Sequence, residues 1–198
     1  DFPFYAARSA NEGEFRIAGK VEDTTFAYVP SEPALNEQPA WVSPWPAFTR
    51  LNGELIIDRS TLEIRNAQAQ QGSLALTQVQ GTIRNLGERS QLVIDGVVRG
   101  PLQDMLRYVN ATPVGQWTGQ ALARASGGGN AELKLGLLIP LHDVATTTVK
   151  GSLALAGNEL RVTPDSPPFG AVRGRVEFTQ KGFTVAVPSA RLLGGERL

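Results

Sequence analysis

NAELKLGLLIPL, residues 130–141, decides the fold class. Leu133, Leu135, Leu137, Ile139 and Leu141 alternate without a break. In a strand all five project from one face, with Lys134 and Gly136 on the other. The same one-sided pattern returns along most of the chain. Such a face either packs into a core, as in a β-sandwich, or meets something the protein does not supply. Periodicity alone leaves both outcomes open.

Working outward, a rhythm of glycine, apolar, any, apolar sets in from residue 50. NGELIID (52–58) is followed by STLEIRNAQAQ, and GSLALTQVQGTIRN (72–85) by SQLVIDGVVRG. After an interruption come VKGSLALAGNELRV (149–162) and VRGRVEFTQKGFTVAV (172–187). DRS, QQG, LGER, AGN and QKG have hairpin-turn chemistry, with Gly or Asn where positive φ is needed. This is a degenerate repeat of hairpins and predicts an antiparallel meander. Residues 1–29 supply N-terminal strands, with GEFRIAGKVEDTTFAYV (13–29) read as two strands around a turn. Residues 30–47 are proline-rich and form a connecting loop, because proline removes ladder donors. Trp41 and Trp45 tack that loop onto the sheet. Residues 48–99 and 130–198 hold the hairpins.

The interruption spans residues 100–125. Leu102, Met105, Leu106 and Val109 fall at i, i+3, i+4 and i+7, with Pro101 at a first helical position. Thr112 caps a second helix opened by Pro113, with Val114, Trp117, Ala121 and Leu122 on one face. A short two-helix hairpin therefore interrupts the strands and must bury its stripe on one end or face of the sheet. SGGGN (126–130) reads as a flexible return.

Composition excludes several classes of function. The chain has 198 residues, 41% of them hydrophobic, and 19 basic residues balance 19 acidic ones. No basic stripe marks a nucleic-acid partner. With no cysteine there are no disulfides, thiolate sites or cysteine nucleophiles. No apolar run reaches the length of a membrane-spanning helix. The chain begins at Asp1 and ends within a strand pattern, ARLLGGERL, so it reads as an internal piece of a longer protein.

Catalytic chemistry has little to stand on. His142 is the single histidine and follows Pro140 and Leu141 at a strand end, a structural or solvated position. Asp95, Asp104, Asp143 and Asp165 are scattered without a pairing spacing. SGGGN lacks the Lys-Ser/Thr of a phosphate loop. Gly115 and Gly119 suit close helix packing better than a membrane dimer motif. No cofactor and no metal are expected.

The faces align as pairs: Leu55 with Ile57, Leu62 with Ile64, Leu74 with Leu76, Leu92 with Ile94, Leu153 with Leu155, and Leu160 with Val162. Val176 with Phe178, and Phe183 with Val185 and Val187, complete the greasy face. Glu54, Glu63, Arg65, Arg161, Arg173, Arg175 and Glu177 occupy the opposite positions. About ten strands would give a sheet roughly 45 Å wide at ~4.8 Å per strand. Two helices of roughly 15 Å each do not hide that face. The expected fold is mainly β: an antiparallel meander of repeated hairpins forming a curved, groove-like sheet.

Several segments carry a resemblance: WPAFTRLNGELII (45–57), GPLQDMLRYVNATPV (100–114) with WTGQALA after it, LKLGLLIPL, VKGSLALAGNELRV, and VRGRVEFTQKGFTV ending in LLGG. In order and spacing the chain resembles the YhdP-type members of the bacterial AsmA-like superfamily along essentially its whole length. The resemblance implies a large protein, anchored in the inner membrane by one N-terminal helix and extending through the periplasm. It implies a bridge-like lipid transfer role, with phospholipid moving towards the outer membrane along an apolar β-groove. There are no catalytic residues to carry over. On this reading phospholipid acyl chains are the partner, met by Leu55, Ile57, Leu74, Leu76, Leu92, Ile94, Leu133, Leu135, Leu137, Ile139, Leu153, Leu155, Val176, Phe178, Phe183 and Val185.

Three rivals stand beside it. A periplasmic scaffold or outer-membrane assembly factor would bind other envelope proteins through an open sheet edge. An outer-membrane barrel would show aromatic girdles, whereas aromatics are only 7% and a helix pair breaks the strands. An enzyme acting on envelope glycans would need clustered carboxylates.

Overall fold

The computed structural model describes residues 15–35, 39–117, 119–143, 146–179 and 181–192. The first part of the expected N-terminal strands, up to residue 14, and the LLGG ending beyond Leu192 lie outside the described residues.

The strands are β1 (Arg16–Phe26), β2 (Phe48–Asp58), β3 (Thr61–Gln71), β4 (Leu74–Ile83), β5 (Gln91–Pro101), β6 (Ser126–Gly128), β7 (Asn130–Pro140), β8 (Thr148–Arg161), β9 (Phe169–Thr179) and β10 (Gly182–Leu192). Between β5 and β6 lie α1 (Leu102–Ala111) and α2 (Pro113–Trp117). The sheet runs β1-β2-β3-β4-β5-β7-β8-β9-β10, all antiparallel, with β6 paired to β8 off this path. The expected meander is therefore present. Nine strands in line give a width of roughly 38 Å at ~4.8 Å per step. Among the described residues β1 and β10 do not pair, so the sheet is open and not a closed barrel.

Four local expectations are corrected. Residues 13–29 do not make two strands: β1 runs through, and Asp23, at φ 44°, forms a bulge where a turn was expected. AGN is not a hairpin turn either. β8 continues through it, with Gly157 at φ 98° opposite a register shift. The Asn158 amide donates to the carbonyls of Gly128 and Asn130 (2.9 and 3.0 Å), while its Oδ1 accepts from the Ala156 N–H. Those bonds satisfy a side chain that is 2% exposed. They also hold SGGGN, expected to be a loose return, in place as β6. Pro101 ends β5 and caps α1 without a side-chain bond, so the helix opens at Leu102.

The second helix is shorter than its stripe suggested. α2 ends at Trp117, and Gly119 (φ 61°) sits in a turn. Thr112 does not cap it; the hydroxyl donates back to the Val109 carbonyl. Gly115 does mark close packing, since a Cβ there would lie 2.9 Å from the Val109 carbonyl oxygen.

The main core cluster is small, with further buried residues (Ile56, Ala67, Ala69, Ile83 and Val97) scattered along the sheet. Leu102, Met105 and Leu106 of α1 pack with Leu74, Ala125, Ala131, Leu155 and Val172. The chain exposes 14306 Å². A compact monomer of 21.2 kDa would expose about 9,100 Å². The architecture is an open sheet with a local helical cover.

Candidate functional site: the apolar face

Cross-strand partners share a face, so the register sorts every strand residue. All sixteen candidates fall on one face. One row runs Leu76–Val98–Leu133–Leu153–Val176–Val185, each residue paired with the next. A second runs Ile17–Ile57–Leu62–Ile83–Leu92–Ile139. Between them lies Leu55–Ile64–Gly81–Ile94–Leu137. Each six-strand row is about 24 Å long at ~4.8 Å per strand. One acyl chain fills half of a bilayer's ~30 Å hydrocarbon core, about 15 Å, so a row is longer than a chain. Glu54, Glu63, Arg65, Arg173, Arg175 and Glu177 fall on the other face, as expected.

The glycines of the sequence rhythm belong to the apolar face as well. Gly81, Gly96, Gly151 and Gly174 alternate with larger neighbours in these rows. A Cβ on Gly81 would lie 3.1 Å from Ile64 Cδ1, and one on Gly96 would lie 3.1 Å from Val79 Cγ2. On Gly151 it would run into the Phe178 ring. Each glycine leaves space that a larger neighbouring side chain fills. Bulges interrupt the ladder as well. Arg50, Asn66, Gln78 and Ala171 all have positive φ beside a register shift.

Among the described residues, most of this face has no cover. Of the candidates, only Leu74 and Leu155 are buried, both in the core beneath α1. Leu135, Leu137, Ile139, Leu92, Ile94 and Phe178 are half-buried. Leu55 and Val185 are exposed, at 38% and 52%. Phe183 is placed by its backbone pairing with Phe178. A cleft of about 990 Å³ opens on the polar face, lined by Asp95, Lys134, Lys150, Glu177 and Thr184. Its floor is the row Gly96–Leu135–Gly151–Phe178, whose side chains leave on the apolar side. The polar face is mixed, since Ile56, Val93, Val97 and Leu138 stand among its charged residues, whereas the rows of the other face are wholly apolar.

The loop before β2 and helix α1 meet over one end of the strands. The Tyr28 ring stacks on Phe48 at 5.1 Å and tilts against Trp45 at 5.8 Å. Trp45 tacks the loop down as expected, whereas Trp41 is 44% exposed and only its backbone pairs, with Glu32. The Tyr28 and Tyr108 hydroxyls hydrogen-bond at 2.9 Å. Burial pushes both phenols above their ordinary pKa, and the shared hydrogen bond raises Tyr28 further. A raised folded-state pKa means that this contribution to stability is fully present below about pH 10, the unfolded value, and is lost as pH climbs through the folded values. Spectrophotometric titration should find two tyrosines ionising well above free tyrosine. Ionisation of every tyrosine near pH 10 would dissolve this contact.

Among the described residues the candidate carboxylates are not gathered into one site. Asp104 is taken by Arg107 (2.5 Å) and Ser73, and Asp165 by Arg124 (3.1 Å). His142 is exposed in the turn after β7. Among the described residues no three His, Asp or Glu side chains could hold a metal together, and no helix is long and apolar enough to cross a membrane.

Comparison with known proteins gives the same direction. Escherichia coli (strain K12) has an "Intermembrane phospholipid transporter YhdP" that is 25% identical over 168 residues. The match covers 85% of this chain but 12% of that protein's length. No solved structure matches. A family model described as "YhdP protein" matches residues 1–197. With the match spanning nearly every residue of this ribbed, one-sided sheet, the chain belongs to the YhdP family.

Proposed function

We propose that this chain is a non-catalytic, periplasmic stretch of a longer, membrane-anchored protein, and that its apolar face shields phospholipid acyl chains during transport towards the outer membrane. One observation supports the reading: unbroken apolar rows cross six strands each, and away from the α1 core, which Val98, Leu133 and Leu153 adjoin, no described residue covers them. The name of the E. coli relative supplies the ligand class.

The energetics suit the task. Exposing two acyl chains of ~16 carbons to water costs roughly 0.8 kcal/mol per CH₂, on the order of 25 kcal/mol in all. A continuous lining of Leu, Ile, Val and Phe removes much of that barrier. It holds no deep directional site, so sliding along the rows stays cheap. Leu74 and Leu155, buried in the α1 core, drop out of the proposed lining; Leu133 and Leu153 adjoin that core and mark the edge of the lining, and the other candidates remain in it.

A photo-crosslinking residue at Leu135, with Lys134 as the control on the opposite face, tests this in cells carrying the full protein. Covalently attached phospholipid is expected at 135 and not at 134. Silence at 135, Leu137 and Val185 together would remove acyl shielding and leave protein–protein binding through the open β1 and β10 edges as the better account.

A further inference from the structure

We propose that the two rims of the apolar face are unequal, and that a phospholipid lies in it with its phosphate headgroup at the rim of the short turns. This rests on the acyl-shielding reading and adds an orientation and a headgroup subsite.

The meander makes the argument possible, because its connections alternate between two rims. At one rim lie residues 27–35, 39–47, 72–73, 102–117, 119–125 and 162–168. These connections are tied into a wall over the strand ends. Tyr108 of α1 bonds Tyr28, and Asp104 accepts from Ser73. The Leu102 N–H donates to the Gly129 carbonyl (2.9 Å), and Arg124 pairs with Asp165. Beneath the wall, Leu102, Met105 and Leu106 close the apolar face with fully apolar contacts. A phosphodiester leaving on this side would have to shed its water against leucine and methionine.

The other rim carries only the turns at 59–60, 84–90 and 141–143 and the turn that includes Lys181. Nothing described arches over the apolar face there. Arg59, Arg84, Arg89 and Lys181 are exposed at this rim, and none makes an ion pair with another described residue. At the walled rim Arg107 and Arg124 are engaged by carboxylates, while Arg50, Arg161 and Arg191 stand near the strand ends there without an ion pair to another described residue, so it is the wall of connections and not the arginines that sets the two rims apart. Asp58, Glu88 and Asp143 share the open rim, so its charge is mixed. Its guanidiniums nevertheless remain available to phosphate oxygens, the geometry arginine serves best. Leu86 and Leu141, exposed at 41% and 46%, stand in the same turns and give the glycerol region an apolar collar.

The test uses the full protein with a single cysteine, placed in turn at Leu86 on the open rim, Gln116 on the wall, and Leu135 within the rows. Each carries a small fluorophore. The probes are phosphatidylcholine bearing a nitroxide either on the headgroup or near the acyl terminus. Headgroup nitroxide is expected to quench position 86 about threefold more than position 116, and acyl nitroxide to quench 135. Combining Arg59→Glu, Arg84→Glu and Arg89→Glu should lower headgroup quenching at 86 about threefold, with acyl quenching at 135 retained. Equal headgroup quenching at 86 and 116, or more at 116, overturns the orientation while acyl quenching at 135 keeps the shielding reading alive. Unchanged quenching at 86 in the triple variant removes the arginines from the subsite. Absent acyl quenching at 135 overturns the shielding reading itself.

Discussion

Leu135→Glu is expected to lower phospholipid passage about thirtyfold while shifting the melting temperature by no more than a few degrees. Leu135 sits mid-row between Gly96 and Gly151 and is only half-buried, so its replacement opens no cavity in the packed core. A carboxylate there keeps its water. A passing acyl chain then forfeits contact with roughly three methylenes at ~0.8 kcal/mol each, or about 2 kcal/mol of added barrier. That converts to about thirtyfold in rate. Lys134→Glu reverses charge one residue away on the polar face and should leave passage unchanged. Leu135→Met keeps an apolar side chain of similar volume and should be silent. If Leu135→Glu moves lipid as fast as the parent, acyl chains do not ride on this face.

The fold was legible where one physical rule acts alone. Alternation in NAELKLGLLIPL and its repeats sets strand faces, and the hairpin turns set the meander, so both emerge from sequence directly. The placement of all sixteen candidates on one face follows from the same period of two. Bulges were not legible, because Asp23, Arg50, Asn66 and Gln78 occupy positive φ without glycine to signal it. The AGN stretch misled for the converse reason. Gly157 and Asn158 have turn chemistry, yet one relieves a bulge and the other cross-links β6 and β7. Gly81, Gly96, Gly151 and Gly174 carried a signal that period alone does not assign: they lie on the apolar face, where each leaves room for a larger neighbour. Which apolar residues are covered depended on where α1 docks, a tertiary fact. Leu74 and Leu155 are indistinguishable in sequence from Leu76 and Leu153, yet they are buried in the α1 core while Leu153 only adjoins it and Leu76 is half-buried outside it. The unequal rims are equally tertiary, since they depend on which connections tie together.

Leu102→Ala should release the wall. Leu102 is 2% exposed and is the best-buried side chain of α1. A Cβ on Gly127 would come within 2.5 Å of its Cδ2, so the leucine fills the space that this glycine leaves. Truncation in so tight a site costs about 2–5 kcal/mol through lost transfer energy and the cavity left behind. In a ribbed sheet whose strands contact mainly their neighbours, that loss stays local. Amide exchange across residues 102–111 should therefore accelerate at least about thirtyfold, with β2–β4 amides unchanged. Leu86→Ala, at an exposed position of the opposite rim, should leave exchange everywhere as it was. The functional consequence separates a wall from a mere stabilising element. With α1 loosened, water and headgroups gain access to the second rim, so the quenching difference between positions 86 and 116 should shrink. Faster exchange with that difference intact would mean that α1 braces the sheet without steering the lipid.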